Sequence, residues 1–389
     1  MDKIINDIRL FLESKKQEQL GFLIDICNQN SYSFNRDGVE KVAALIHHHM
    51  QDILPIHEID AQQKFANHHM YRSGKEQKYI YLVGHMDTVF PAEHPFQSCR
   101  INRDILVGPG TGDMKGGLTV ILYALKALKH VNLLQNLPIS VIFNSDEEVG
   151  SKTSRRLFER EREKARICLV TECAGVNNEI VISRNGKLGA RLRSHGTARH
   201  VGFGTHEKSS AILEIAHKII ALESLNNSVP DFSLNIGRVD GGLGPATIPA
   251  EATAYIDMRW KDDAHKNVIL EKIEAIMGNQ SQTGCSSEFE ILNSRPAMPY
   301  TGRNSELIEL LKKTGKELNL QILTEHRRGT SDANFFGSFN VPTLDGLGPF
   351  SEHDHTENEY IRISSLYERT LLLAAFILQY AQTILPGDT

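Results

Sequence analysis

The sequence predicts an α/β fold in which a smaller α+β domain is inserted into a larger one built on an open sheet. Three features carry this expectation. Largely apolar runs at residues 79–84, 138–145 and 165–171 each stop at a His or an acidic residue, and such runs read as strands buried on both faces. Apolar positions at helical spacing occupy 3–27, 37–50 and 118–128. From about residue 186 to 292 the texture changes to strand, helix, strand, strand, helix, strand, an order that suits a small sheet with two helices on one face. A chain of 389 residues exceeds what one core usually organises. The expected division is 1–185 with 296–389 for the larger domain, and 186–295 for the inserted βαββαβ domain.

The first two helices cover a sheet face. His47, His48 and His49 end the second; consecutive helical residues point in different directions and cannot converge on one ion, so they read as a solvated helix face. His68 and His69, inside an expected strand, receive the same reading. The run that follows ends in His85-Met86-Asp87. Ligands of open α/β sheets bind beyond the strand ends, which makes His85 the first metal-ligand candidate. Asp87, two residues on, shares its side and is placed to accept a hydrogen bond from the other imidazole nitrogen. The competing reading is a purely structural hydrogen bond.

Gly108-Pro109-Gly110-Thr111-Gly112-Asp113 then opens into the helical pattern at 118–128, leaving Asp113 as either a ligand or a helix cap. The glycine spacing matches neither the phosphate-binding loop nor the dinucleotide fingerprint. After the second strand come Asp146, Glu147 and Glu148, three adjacent carboxylates that need a cation unless they are solvated. Neighbouring side chains diverge, so one of Glu147 and Glu148 can hold a metal while the other faces its water as a general base. An acidic surface turn is the alternative. The third strand delivers Glu172, and three strands ending in this way point to one shared cleft.

In the insertion, strands are expected at 188–193, 232–239, 252–260 and 289–292, with helices at 209–222 and 268–277. Helices at 306–318 and 364–384, with strand-like 321–323 and 341–344, return the chain to the larger domain. Before the last helix a glycine-bounded loop carries His353 and His355, of which one completes a metal site unless both are merely solvated.

The net charge of -5 with mixed signs offers no basic footprint for nucleic acid or an anionic membrane, which favours a small-molecule or peptide partner. No run approaches the length of a membrane span, and residues 1–20 lack an apolar signal core, so the expected location is the cytoplasm. Five cysteines without paired metal spacing read as free thiols.

Gly84-His85-Met86-Asp87-Thr88-Val89, Gly112-Asp113-Met114-Lys115-Gly116, Asp146-Glu147-Glu148-Val149-Gly150-Ser151, Glu172 and His355-Thr356-Glu357-Asn358-Glu359-Tyr360 together resemble the M20 family of zinc aminoacylases and carboxypeptidases. Within it the chain looks most like the glutamate-carboxypeptidase and acetylornithine-deacetylase branch. The resemblance implies a mixed-sheet metallohydrolase domain, an inserted dimerisation domain and a homodimer. It implies two zinc ions, replaceable by cobalt or manganese, bridged by Asp113. One would also be held by His85 and Glu172, the other by Glu148 and His355, since only His355 stands before the Thr-x-x-Glu-Tyr segment. Glu147 resembles the general base, supported by Asp87 behind His85. In Gly196-Thr197-Ala198-Arg199-His200-Val201-Gly202, His200 resembles the His that reaches the partner subunit's site and stabilises the oxyanion; a capping or surface His is the alternative. Arg295 resembles the arginine that binds a substrate carboxylate, against a plain surface Arg. The resemblance further implies a cis bond between Asp113 and Met114. One position departs: Ala246 stands where the family usually has Asn, three residues before Pro249. The expected activity is hydrolysis of an N-acyl amino acid or small peptide bearing a free carboxylate. The alternatives are a deacylase of the acetylornithine or succinyl-diaminopimelate type, a two-metal phosphoesterase, and a silent binding protein of the same fold.

Overall fold

The computed structural model describes residues 2–203 and 208–384, and the chain divides into two compact units. The first comprises Met1–Ser183, Tyr300–His326 and Ser331–Thr389, the second Arg184–Pro299 and Arg327–Thr330.

The first unit is built on a six-stranded mixed sheet. Its strands lie in the order Ile56–Asp60, His68–Arg72, Ile139–Asn144, Tyr79–His85, Ala165–Val170 and Thr343–Leu344. The first two pairings are antiparallel and the rest parallel. Every residue of Tyr79–His85 and Ile139–Asn144 is buried, which is why both read as continuous apolar runs instead of alternating ones. Their register sets His85 beside Asn144, and Val83 beside Val170 on the other flank. Three parallel strands thus finish side by side, and the residues that follow them share one edge.

Helix Gly116–His130 packs on Asp2–Asn28 and on Ile363–Ile384, which also meets Gly302–Glu317. Twelve of the residues of Gly116–His130 are buried, so this helix is apolar nearly all round, as a fully enclosed helix must be. It begins close against the sheet because Gly117 lacks a side chain: a Cβ there would sit 1.8 Å from the Thr171 carbonyl oxygen. A small four-stranded sheet joins two distant parts of the unit, in the order Ser351–Glu352, Tyr360–Arg362, Ile105–Val107 and Arg100–Asn102. Strands of two and three residues are too short to show an alternating pattern, and none of them is legible in the sequence.

The second unit is an antiparallel sheet ordered Phe232–Gly241, Glu251–Trp260, Gly186–His195 and Ser286–Arg295, with helices Ala211–Glu223 and Asp263–Gly278. Gly186–His195 alternates buried and half-buried residues along its whole length, the mark of a sheet with one covered face. Arg199–His200 forms a separate two-residue pairing with Thr247–Ile248.

His68 and His69 correct the solvated reading: both are buried, because their strand is flanked by a neighbour on each side. His68 Nε2 lies 2.9 Å from Thr153 Oγ1, and His69 Nδ1 lies 3.0 Å from His57 Nε2. Of the preceding trio His48 is exposed, whereas His47 stacks on His57 with ring centres 4.3 Å apart. No helix among the described residues is long and apolar enough to cross a membrane.

A candidate metal centre at the strand ends

His85 is the last residue of its strand and is fully buried. Its Nε2 faces Asp113 Oδ1 at 2.9 Å, and Glu172 Oε1 stands 3.8 Å away. The other carboxylate oxygen of Asp113, Oδ2, faces His355 Nε2 at 2.9 Å, and that nitrogen also lies 3.1 Å from Glu148 Oε2. Asp113 is therefore not a helix cap: Lys115 occupies the N-cap of the following helix, and the Asp113 carboxylate divides between two imidazoles. The bond from Asp113 to Met114 is cis. His353, by contrast, is exposed, and its ring lies 6.1 Å from that of Tyr360.

Behind His85 the expected hydrogen bond is shared. Its Nδ1 lies 3.0 Å from the backbone oxygen of Asp87 and 3.4 Å from Asp87 Oδ1. The Asp87 carboxylate is fully buried and accepts hydrogen bonds from Ser33 Oγ at 2.7 Å and from the backbone N–H groups of Glu147 and Glu148, both at 3.2 Å. Asp87 thus fixes both the imidazole and the turn that carries the two glutamates. Asp146 is drawn away from this cluster, accepting from the N–H and hydroxyl of Thr153 and from Ser154 at the start of helix Ser154–Glu161. The repulsion expected among three adjacent acids is relieved by their divergence.

Glu359 went unassigned in the sequence, although it lies inside the Thr356 to Tyr360 motif. It is nine-tenths buried or more, and its carboxylate accepts from the backbone of Gly110, Gly112 and Asp113. The pairing of Tyr360 with Val107 brings it there. Ser33 was likewise missed, since a lone Ser between helices carries no local signal.

The electrostatics are those of a site short of positive charge. Burial opposes charge on His85, but hydrogen bonds to Asp113 and Asp87 hold its imidazolium well above the ordinary histidine range. His355 is pushed up to about 11 by its hydrogen bonds to Asp113 and Glu148. Burial favours the neutral acid of Asp113, yet the two imidazoles outweigh it and hold the carboxylate ionised. Burial and the Asp113 charge push Glu148 up to about 8, and the same two causes raise Glu172 well above the usual carboxylate range. Glu148 Oε1 is buried with no hydrogen-bond partner. Ligand atoms of His85, Asp113 and Glu148 lie within 4.8 Å of one another. An orphaned carboxylate oxygen beside carboxylates and imidazoles is the donor set a divalent ion such as zinc accepts.

A family model for peptidase family M20/M25/M40 matches residues 81–379. The chain belongs to this family. Family M20/M25/M40 proteins are metal-dependent hydrolases of amide bonds. Carboxypeptidase G2 of a Pseudomonas species is 27% identical over 78% of this chain and 74% of its own length. Succinyl-diaminopimelate desuccinylase of Hahella chejuensis is 26% identical over 77% of this chain and 83% of its own. Among solved structures, a tripeptidase from Staphylococcus aureus shares the fold with a TM-score of 0.77 at 20% identity, covering 95% of this chain and 99% of that one. In this M20/M25/M40 chain the whole cluster comes from the first unit, whereas His200 and Arg295 belong to the second. His200 is exposed, and its Nδ1 accepts from the Gly202 N–H at 3.1 Å. Arg295 ends strand Ser286–Arg295 and is only 6% exposed, which removes the surface-Arg reading. Ala246 is exposed and its carbonyl accepts from the Val201 N–H at 3.0 Å, tying the position of the missing Asn to the His200 segment.

Proposed function

We propose that this M20/M25/M40 protein is a dizinc hydrolase that cleaves the amide bond of an N-acyl amino acid or small peptide bearing a free carboxylate. The observation that carries the reading is the division of the Asp113 carboxylate between His85 and His355, one oxygen to each. A carboxylate so placed suits a bridge, with His85 and Glu172 on one side and Glu148 and His355 on the other. When bound, divalent ions polarise a carbonyl and bring the acidity of water into the neutral range. The chain's own groups do the rest. Glu147, on the turn fastened by Asp87, accepts a proton on its carboxylate from the attacking water. It returns that proton to the amide nitrogen as the C–N bond breaks. Asp87 keeps the His85 ring oriented throughout.

The first unit is, in this reading, the catalytic domain, and the second pairs with its copy in a homodimer. His200 then stabilises the oxyanion at the partner subunit's site, and Arg295 receives the substrate carboxylate with its planar fork. A deacylase of the succinyl-diaminopimelate type is the second reading, favoured by the similarity over 83% of that relative. Elemental analysis of the purified protein, with hydrolysis assays on N-acyl amino acids, dipeptides, succinyl-diaminopimelate and phosphoesters, tests both. Two metals per chain and amide hydrolysis that chelator abolishes are expected. Full activity in strong chelator with only traces of metal would overturn the proposal.

A further inference from the structure

A groove in the first unit gathers four cations, and no carboxylate among the described residues holds three of them, Lys78, Arg162 and Arg303. It encloses about 670 Å³ where strands Tyr79–His85 and Ala165–Val170 begin, and it is lined by Lys78, Arg162, Arg166 and Arg303 with the rings of Phe339 and Tyr380. Two carboxylates, Glu163 and Glu306, share the lining, so four cations meet two anions in a chain whose net charge is -5.

Three of these cations are positioned by neutral partners. The Arg162 guanidinium lies 4.1 Å from the centre of the Phe339 ring, and its Nε is buried with no hydrogen-bond acceptor. Arg303 Nη1 reaches the Asn340 carbonyl at 3.5 Å, and the Lys78 ammonium donates to the Glu163 carbonyl. The same short segment shows the alternative, since Arg160 and Lys164 both ion-pair with Glu161, at 2.9 and 3.5 Å. Arg162, between them in sequence, has the ring instead. A ring or a carbonyl orients a positive charge without cancelling it, and like charges converge at a cost that an anion relieves.

We propose that this groove binds a small polyanion, a molecule with two or more clustered phosphate or carboxylate groups. Guanidinium forks match both kinds of oxygen pair, and the volume is that of a small-molecule pocket. The ligand is not the substrate. The groove lies where strand Tyr79–His85 begins and the metal centre where it ends, a strand length of roughly 20 Å.

Calorimetric titration of the full metal-loaded chain at low ionic strength, with fructose 1,6-bisphosphate in one arm and tricarballylate in the other, tests the site. Saturable one-to-one binding of at least one probe is expected, and the arm that binds tells phosphate from carboxylate. Arg303→Gln, at an exposed position, weakens it at least ~10-fold, and Arg162→Gln with Arg303→Gln weakens it further. His355→Ala leaves binding intact, and without the anion the double variant keeps wild-type kcat/KM on its amide substrate. The proposal is overturned if neither probe saturates by about 10 mM, or if the groove variants bind as wild type does. Loss of binding in His355→Ala with retention in the groove variants would move the anion to the metal centre and overturn it equally.

Discussion

Glu359 holds Asp113 by the main chain: Glu359 Oε1 accepts the Asp113 N–H at 3.1 Å and that of Gly112 at 2.9 Å, while Oε2 takes Gly110 at 3.0 Å. The side chain of Asp113 is thereby aimed by a residue that touches neither of its carboxylate oxygens. Glu359→Gln keeps one acceptor oxygen and turns an NH2 group toward backbone N–H groups, so the loop loses part of its anchorage. Metal affinity should fall about 10- to 100-fold, as it does when residues supporting a ligand are removed. Competition against a chromogenic chelator measures this, and unchanged affinity would mean the loop holds itself.

Glu147 and Glu148 hang from the same carboxylate through adjacent backbone N–H groups, and their side chains are assigned opposite tasks. Glu147→Gln should retain metal and lose at least ~100-fold in kcat, the scale of lost general acid–base catalysis. Glu148→Gln should instead lose metal. Atomic absorption and kcat on both variants decide the matter, and the reverse pattern would exchange the two roles.

If His200 serves the partner's site, two crippled chains rescue each other. A dimer of one Glu147→Ala chain and one His200→Ala chain carries both defects in one site and neither in the other. Random assembly makes roughly half the dimers hybrid, so about a quarter of wild-type site activity should return. Hybrids purified through two different affinity tags provide the measurement. Activity no greater than that of either mutant homodimer would confine His200 to its own chain or to no role.

His69, which is not among the candidate metal ligands, makes stability sensitive to acid. Burial, then the neighbouring His57, His47 and His68, depress it from 6.5 to about 4, while Glu40 Oε2 stands 3.9 Å from its Nε2. A folded value below the unfolded one means that the native state resists protonation. The stability this residue contributes is complete above pH 6.5 and is lost as pH falls toward 4, by at most about 3 kcal/mol. His69→Phe should flatten the thermal midpoint between pH 6.5 and 4 relative to wild type. Parallel curves for the two proteins would contradict this.

What the sequence determined by itself was the local chemistry and its order along the chain. Continuous apolar runs identify strands covered on both faces because burial on two sides leaves no polar period, and His85, the Glu147 turn and Glu172 follow from where such runs stop. The strand expected at 188–193 was readable for the complementary reason, since one covered face imposes the alternation seen in Gly186–His195. Tertiary structure alone decided which oxygen of Asp113 meets which histidine, because that depends on a strand register and on a loop 242 residues away. It also decided that Asp146 turns aside to a helix start, that His68 and His69 are enclosed and that Glu359 clamps three amides. The direction of a side chain is set by pairings between strands too short to leave a periodic trace, such as Tyr360 with Val107. No window of neighbouring residues contains the energy of a contact made across the whole chain.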